Sequence, residues 1–204
     1  MKPWELFFRK HITTIFSEKK LIVDIGGGLR ILKEKNNRYA PENDWIREFL
    51  PNVEYKIMDP VDTYHPDIVG DIHNLPFADN SVDAIVCIAV LEHVENPIKA
   101  IQEMYRVLKP GGYCYLYVPF LYYYHAEPGY YGDFWRFTED GLRWLSKPFT
   151  SFQIVPVRGA IGTLMKLSPI GRVKFLNPLW YFLDTISGKL KSKQVSGYNV
   201  FLVK

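Results

Sequence analysis

The chain is poor in cysteine. Its 204 residues include two, Cys87 and Cys114, each inside an apolar run, which reads as buried thiols in a reducing compartment and excludes a disulfide framework. No Cys/His cluster has zinc spacing, so no metal is expected. Long apolar runs are also missing, and none reaches the roughly 18 residues of a membrane span. The opening residues, MKPWELFFRKHITTIF, lack both a long apolar core and a small-residue cleavage site, and so are not read as a signal peptide. Surplus charge is small. A net +3 does not by itself imply a nucleic-acid partner, and no RNA-binding module accompanies it. Internal repeats and low-complexity tracts are absent.

What is present is a chain long enough, at 48% hydrophobic residues, to bury a core in one domain. Residues 4–17 have apolar side chains near helical spacing and predict an amphipathic helix. LIVDI (21–25), EYKIMD (54–59), PDIVGD (66–71), VDAIVCI (82–88) and GYCYLYVP (112–119) are nearly continuous in β-formers, as strands covered on both faces are. Helices are predicted between them. PENDWIREFL (41–50) is one. NPIKAIQEMYRVLK (96–109) is another, with Asn96 as N-cap and Pro97 at the first helical position. Thr138 is read as the cap of EDGLRWLS. Alternation of strand and helix predicts a parallel α/β sheet, with ligands bound beyond the carboxyl ends of its strands.

Gly26, Gly27 and Gly28 follow the first strand directly, where side chains would obstruct a tight turn or a close ligand. A dinucleotide fingerprint would need a glycine at position 31, which is Ile31, so a nicotinamide-dependent oxidoreductase is the weaker reading. Asp59 ends the second strand, where a carboxylate can accept both hydroxyls of a ribose. It lies farther from the glycine turn than the usual spacing, and the polar stretch LKEKNNRYAPEND supplies the extra residues.

Residues 70–119, from GD through LPF, DNSVDAIV and LEHV to RVLKPGG, closely resemble the middle of class I S-adenosylmethionine-dependent methyltransferases of the type 11 kind. With VDIGGG the resemblance covers roughly residues 20–120. GDFWRFTEDGLRWL (132–145) also resembles a segment of one branch of the family, many members of which are linked with cell-surface glycan or lipid pathways. The resemblance implies a Rossmann-like fold: a mostly parallel seven-stranded sheet with helices on both faces, SFQIVPV (151–157) and GYNVFLV (197–203) forming an antiparallel pair at one edge. It implies S-adenosylmethionine as cofactor. Asp24, Gly26, Gly27 and Gly28 would flank its methionine part, Asp59 its ribose, Asp71 and the Ile72 backbone its adenine, and Ala89 its sulfonium. Arg30 stands where the family loop often has a further glycine.

The acceptor side is read from the loop after the fifth strand, PFLYYYHAEPGYYGDFWRF, where His125 or Asp133 would deprotonate or orient the nucleophile, with His93 of LEHV at the border of the methyl site. A single domain is expected over residues 1–204: an N-terminal helix (1–19), a core (20–157), a helical insertion or lid (158–193) and a last strand (194–204). The insertion carries seven basic residues against Asp184, a net +6. It reads first as a solvated helix pair, and alternatively as a surface for an anionic or lipid-linked acceptor or an anionic membrane. The functional expectation is a cytoplasmic methyltransferase, peripheral at the membrane if the insertion binds there, acting at oxygen on a small-molecule, glycan or lipid-linked acceptor. The non-enzymatic alternative is a protein that binds the cofactor without turnover. No specific nucleic-acid partner is expected, and the oligomeric state is left open.

Overall fold

Period-two alternation in the inner strands decides which helix covers which face. In the computed structural model, which describes residues 1–32 and 39–204, β1 (Leu21–Ile25) turns Ile22 to one side of the sheet and Val23 and Ile25 to the other. β4 (Val82–Ile88) does the same with Ala84 and Val86 against Ile85 and Cys87. The first side packs on Ile12, Ile15 and Phe16 of α1 (Pro3–Glu18), the second on Ala100, Ile101 and Met104 of α2 (Pro97–Val107). The sheet is thus covered on both faces, and both cysteines are buried as free thiols.

β2 (Glu54–Asp59), the two-residue β3 (Ile68–Val69), β5 (Leu108–Pro119), β6 (Ser151–Val157) and β7 (Gly197–Val203) complete seven strands in the order β3-β2-β1-β4-β5-β7-β6. β1 to β5 are parallel, while β7 runs antiparallel to both β5 and β6. The expected antiparallel pair is there, with β7 slotted inside and β6 outermost. Six of the seven β7 residues are buried. α3 (Glu139–Leu145) is capped by Thr138, whose hydroxyl accepts the Gly141 amide at 3.1 Å. Asn96 likewise caps α2 by accepting the Lys99 amide at 3.0 Å.

Three expectations differ in detail. The helix read as 96–109 ends at Val107, and the fifth strand, read from 112, begins at Leu108, which pairs with Val82 of β4. Residues 41–50, read as an α-helix, form a 3₁₀ run, Pro41–Asn52. It buries only Ile46 and contains Pro51, so little packing draws it into α geometry. PDIVGD shortens to β3, whose parallel pairing with β2 is flanked by the Asp67 and Gly70 amides on the Ile57 and Asp59 carbonyls. Part of the polar stretch preceding the 3₁₀ run, residues 33–38, lies outside the described residues.

β6 runs in the direction of β1 to β5, so its end at Val157 and the start of β7 at Gly197 lie at the carboxyl edge of the sheet. The intervening segment therefore stands at the ligand edge. It holds α4 (Ala160–Leu167) and α5 (Asn177–Ile186). Asp184, 1% exposed, accepts the Ile161 and Gly162 amides at 2.8 and 2.9 Å, holding the two helices together. Tyr181 meets Trp4 of α1 edge-on at 5.7 Å, and the Tyr123 hydroxyl donates to the Lys166 carbonyl.

Candidate active site

The glycine turn is shaped by its own neighbours. Gly26 and Gly27 have φ of +79° and +59°, which side-chain-bearing residues adopt at a cost. A Cβ on Gly28 would lie 2.9 Å from the Ile88 carbonyl oxygen and 2.6 Å from its Cβ, and one on Gly26 would lie 2.5 Å from Val90 Cγ2. The missing side chains thus let the turn seat against the end of β4. Asp24, fully buried, fastens it. Its carboxylate accepts the Gly28 and Leu29 amides at 3.1 and 3.0 Å and the Tyr55 hydroxyl at 2.5 Å. Burial lifts its pKa to about 6 although these three bonds favour the anion.

Beside the turn lies a cleft lined by Gly26, Gly27, Arg30, Ile57, Asp59 and Tyr64. Asp59, 6% exposed, ends β2 and accepts the Val61 amide at 2.9 Å. Asp71 is exposed just after β3. Burial pushes its pKa up, but the amide and ring of His73, at 2.9 and 2.7 Å, outweigh this and lower it. Ile72 is buried in the core. Ala89, the first residue beyond β4, is held at φ +55° with its amide on the Tyr117 carbonyl at 2.9 Å, a strained conformation of the kind that collects at functional sites. The donor set suits an adenosyl cofactor: a side-chain-free turn facing a carboxylate at a strand end, with Arg30 and no lysine among the described residues that line the cleft.

A second group gathers at the ends of β4 and β5. Glu92 and His93 sit on a single 3₁₀ turn, Leu91–His93. His125 comes from the loop after β5, its Nε2 3.6 Å from Glu92 Oε1, and His93 Nε2 lies 3.9 Å from the same oxygen. The two imidazoles meet edge to face at 4.7 Å. The GDFWRF segment clasps the group. The Gly132 carbonyl contacts His93 Nδ1 at 2.7 Å, and the Phe134 and Trp135 amides donate to the Glu92 carbonyl at 2.7 and 3.2 Å. The Trp135 indole donates to the Val94 carbonyl at 2.9 Å.

Asp133 is fully covered. It takes two bonds from Arg136, at 2.5 and 2.7 Å, and the His125 amide at 2.8 Å. The Arg136 guanidinium holds its pKa down at about 2, so Asp133 is a carboxylate at neutral pH, with one oxygen accepting the His125 amide. Glu92 is the opposite case, with burial raising its pKa to about 7. Burial lowers the pKa of His93, partly offset by the Gly132 bond. Glu92 is the site residue that the sequence reading passed over, although its place beside His93 in LEHV was the available signal. His65 is an exposed turn residue and His73 serves Asp71.

A cavity of about 510 Å³ opens from Gly28 and Ile88 under α1. Trp4, Phe8, Tyr115 and Tyr117 line it, with Asn199 and Val157 at the far side. This volume suits a small organic molecule. The sequence reading placed the acceptor wall in residues 120–136 and did not assign one to α1 or β5. The helical spacing of Trp4 and Phe8 signalled only a face to bury.

This sheet order, glycine turn and strand-end carboxylate define the class I S-adenosylmethionine-dependent methyltransferase fold. Solved methyltransferases from Archaeoglobus fulgidus (TM-score 0.59, 13% identity, covering 100% of both chains) and Mesorhizobium loti (TM-score 0.55, 13% identity, 96% of both) share it. Residues 42–116 match the family described as "Methyltransferase domain". A demethylmenaquinone methyltransferase of Paenarthrobacter aurescens is 58% identical over 45 residues, 22% of this chain and 18% of its own length. A ubiquinone/menaquinone biosynthesis C-methyltransferase of Vibrio cholerae is 33% identical over 100 residues, 45% of this chain and 38% of its own. The chain thus spans well under half the length of these relatives.

Proposed function

We propose that the protein methylates an oxygen of a small, largely apolar acceptor, using S-adenosylmethionine. The observation that carries this is the junction at Gly28 and Ile88, where the fastened glycine turn and the apolar cavity share a wall. Gly26, Gly27 and Gly28 would offer backbone to the cofactor, Asp59 would accept its ribose hydroxyls, Asp71 and the Ile72 amide would flank adenine, and Ala89 would lie beside the methyl-bearing end. Asp24 holds the turn in shape. When bound, the cofactor supplies an activated methyl group. The chain's own part is to align the acceptor, which is worth several orders of magnitude in rate, and to take its proton. His125 suits the second task, since its Nδ1 is occupied by the Tyr123 carbonyl at 2.9 Å and its Nε2 is turned inward.

The quinone methyltransferases among the relatives support a ring-bearing, apolar acceptor. The insertion supports one attached to lipid or presented at an anionic surface. Phe175, Phe182, Ile186 and Leu164 are 81%, 56%, 64% and 63% exposed on a segment of net +6. No helix of the described residues is long and apolar enough to cross a membrane, and we place the protein in the cytoplasm, peripheral at its membrane. The test is transfer of labelled methyl groups to fractionated small-molecule, lipid and macromolecular extracts, with mass spectrometry of the product. Label in an apolar small-molecule or lipid fraction, reduced by Trp4→Ala, is expected. Label confined to protein or nucleic acid would overturn the reading.

A further inference from the structure

Glu92 is 1% exposed, and neither carboxylate oxygen has a hydrogen-bond partner among the described residues. A buried carboxylate without donors is costly and rare. Its neighbours offer none. His93 Nδ1 lies 2.7 Å from the Gly132 carbonyl and His125 Nδ1 2.9 Å from the Tyr123 carbonyl. A carbonyl only accepts, so each ring carries its proton on Nδ1 and presents a bare Nε2. Two nitrogen lone pairs and the Glu92 carboxyl therefore converge, and no other side chain among the described residues donates a hydrogen bond to it.

Their spacing is too wide for direct hydrogen bonds and close to what a shared ion requires. A tetrahedral ion with arms of about 2.0–2.2 Å keeps its ligand atoms about 3.3–3.6 Å apart. Here the Glu92–His125 and Glu92–His93 distances are 3.6 and 3.9 Å, and the three ligand atoms all lie within 4.8 Å of one another. The outer contacts match those of metal sites, where a ligating histidine donates its other N–H to a carbonyl or carboxylate. Asp133, 3.3 Å from His125 Nδ1, adds a second acceptor on that ring.

We propose that Glu92, His93 and His125 bind a divalent transition-metal ion, zinc being the best suited to two imidazoles and one carboxylate. Three protein ligands leave a fourth position open, as in catalytic sites. An oxygen ligand belongs there, and on the function proposed above it is the acceptor's hydroxyl; only this last identification rests on that reading. With the ion in place, His125 serves as ligand and the metal holds the acceptor oxygen. The sequence concealed the group because Glu92 and His93 are adjacent while His125 lies beyond β5.

The test needs no acceptor and no turnover. Protein stripped by chelator is titrated with Co²⁺, whose tetrahedral complexes absorb in the visible. One ion per chain is expected, displaced by Zn²⁺. Glu92→Gln, which keeps the side chain's shape, and His125→Ala, at a partly exposed residue, should each weaken Co²⁺ binding at least about tenfold. His65→Ala should leave it unchanged. Thermal unfolding confirms that the variants fold, and S-adenosylhomocysteine binding should stay within about twofold of the parent in both site variants, separating this claim from that of the cofactor cleft. No visible band in the parent protein, or a band untouched by either site variant, overturns the proposal.

Discussion

Gly28 shows how one position can serve fold and ligand together. The φ of Gly28 is not in the left-handed range, so an added methyl group acts by volume alone, against the Ile88 carbonyl at 2.9 Å. Gly28→Ala should destabilise the protein by about 1–3 kcal/mol, as overpacked sites do, read as a lower urea midpoint. A midpoint equal to the parent's would show that the turn is not pressed on β4. Asp24 makes a pH-dependent contribution. Its folded pKa of about 6 is raised above the ordinary 3.8, so the stability linked to its protonated form is present in acid and lost as pH rises through 6. A shift of that size corresponds to at most about 3 kcal/mol. In urea unfolding at pH 4.5 and 7.5, the parent should lose stability relative to Asp24→Asn. Parallel curves would contradict it.

Among the elements, the clasp made by residues 132–136 over the Leu91–His93 turn fixes where His125 stands. His125→Ala should lower kcat by about 10²-fold or more, whether the ring takes the acceptor's proton or holds an ion that binds it, with S-adenosylhomocysteine affinity within about twofold of the parent. An unchanged kcat would remove His125 from the chemistry. Most elements were legible beforehand because local signals agreed. β1, β2, β4, β6 and β7 match their apolar runs residue for residue, and Asn96 and Thr138 cap the helices they announce. The 3₁₀ run at Pro41–Asn52 was not, since apolar spacing over so short a segment does not separate 3₁₀ from α. The Glu92 group was hidden for a different reason. Its third member arrives through the parallel order of β4 and β5, and its carboxylate shows its character only once buried. The cavity was hidden too, because Trp4 and Phe8 reach Tyr115 and Tyr117 across more than a hundred residues of chain.

Across the whole molecule, charge and apolar surface are distributed unevenly. The insertion at the carboxyl edge carries +6, against −3 for the rest of the chain, and leaves Phe175 and Phe182 facing outward. Each basic residue engaged at an anionic leaflet contributes about 1 kcal/mol, and screening removes much of it as salt rises. Co-sedimentation with anionic vesicles at low salt, weak with neutral vesicles and fading at high salt, is the expected pattern. Equal, negligible binding to both would leave the insertion as a packed cover over the acceptor site.

Everything at the acceptor side presumes that the cleft between the glycine turn and Asp59 accepts an adenosyl ligand. Calorimetry measures this directly. S-adenosylhomocysteine should bind with one site per chain, and NAD should not bind. Asp59→Ala should weaken S-adenosylhomocysteine by about 1.5–3 kcal/mol, the loss of charge-assisted hydrogen bonds to the ribose. Tight NAD binding with no heat from S-adenosylhomocysteine would contradict the assignment.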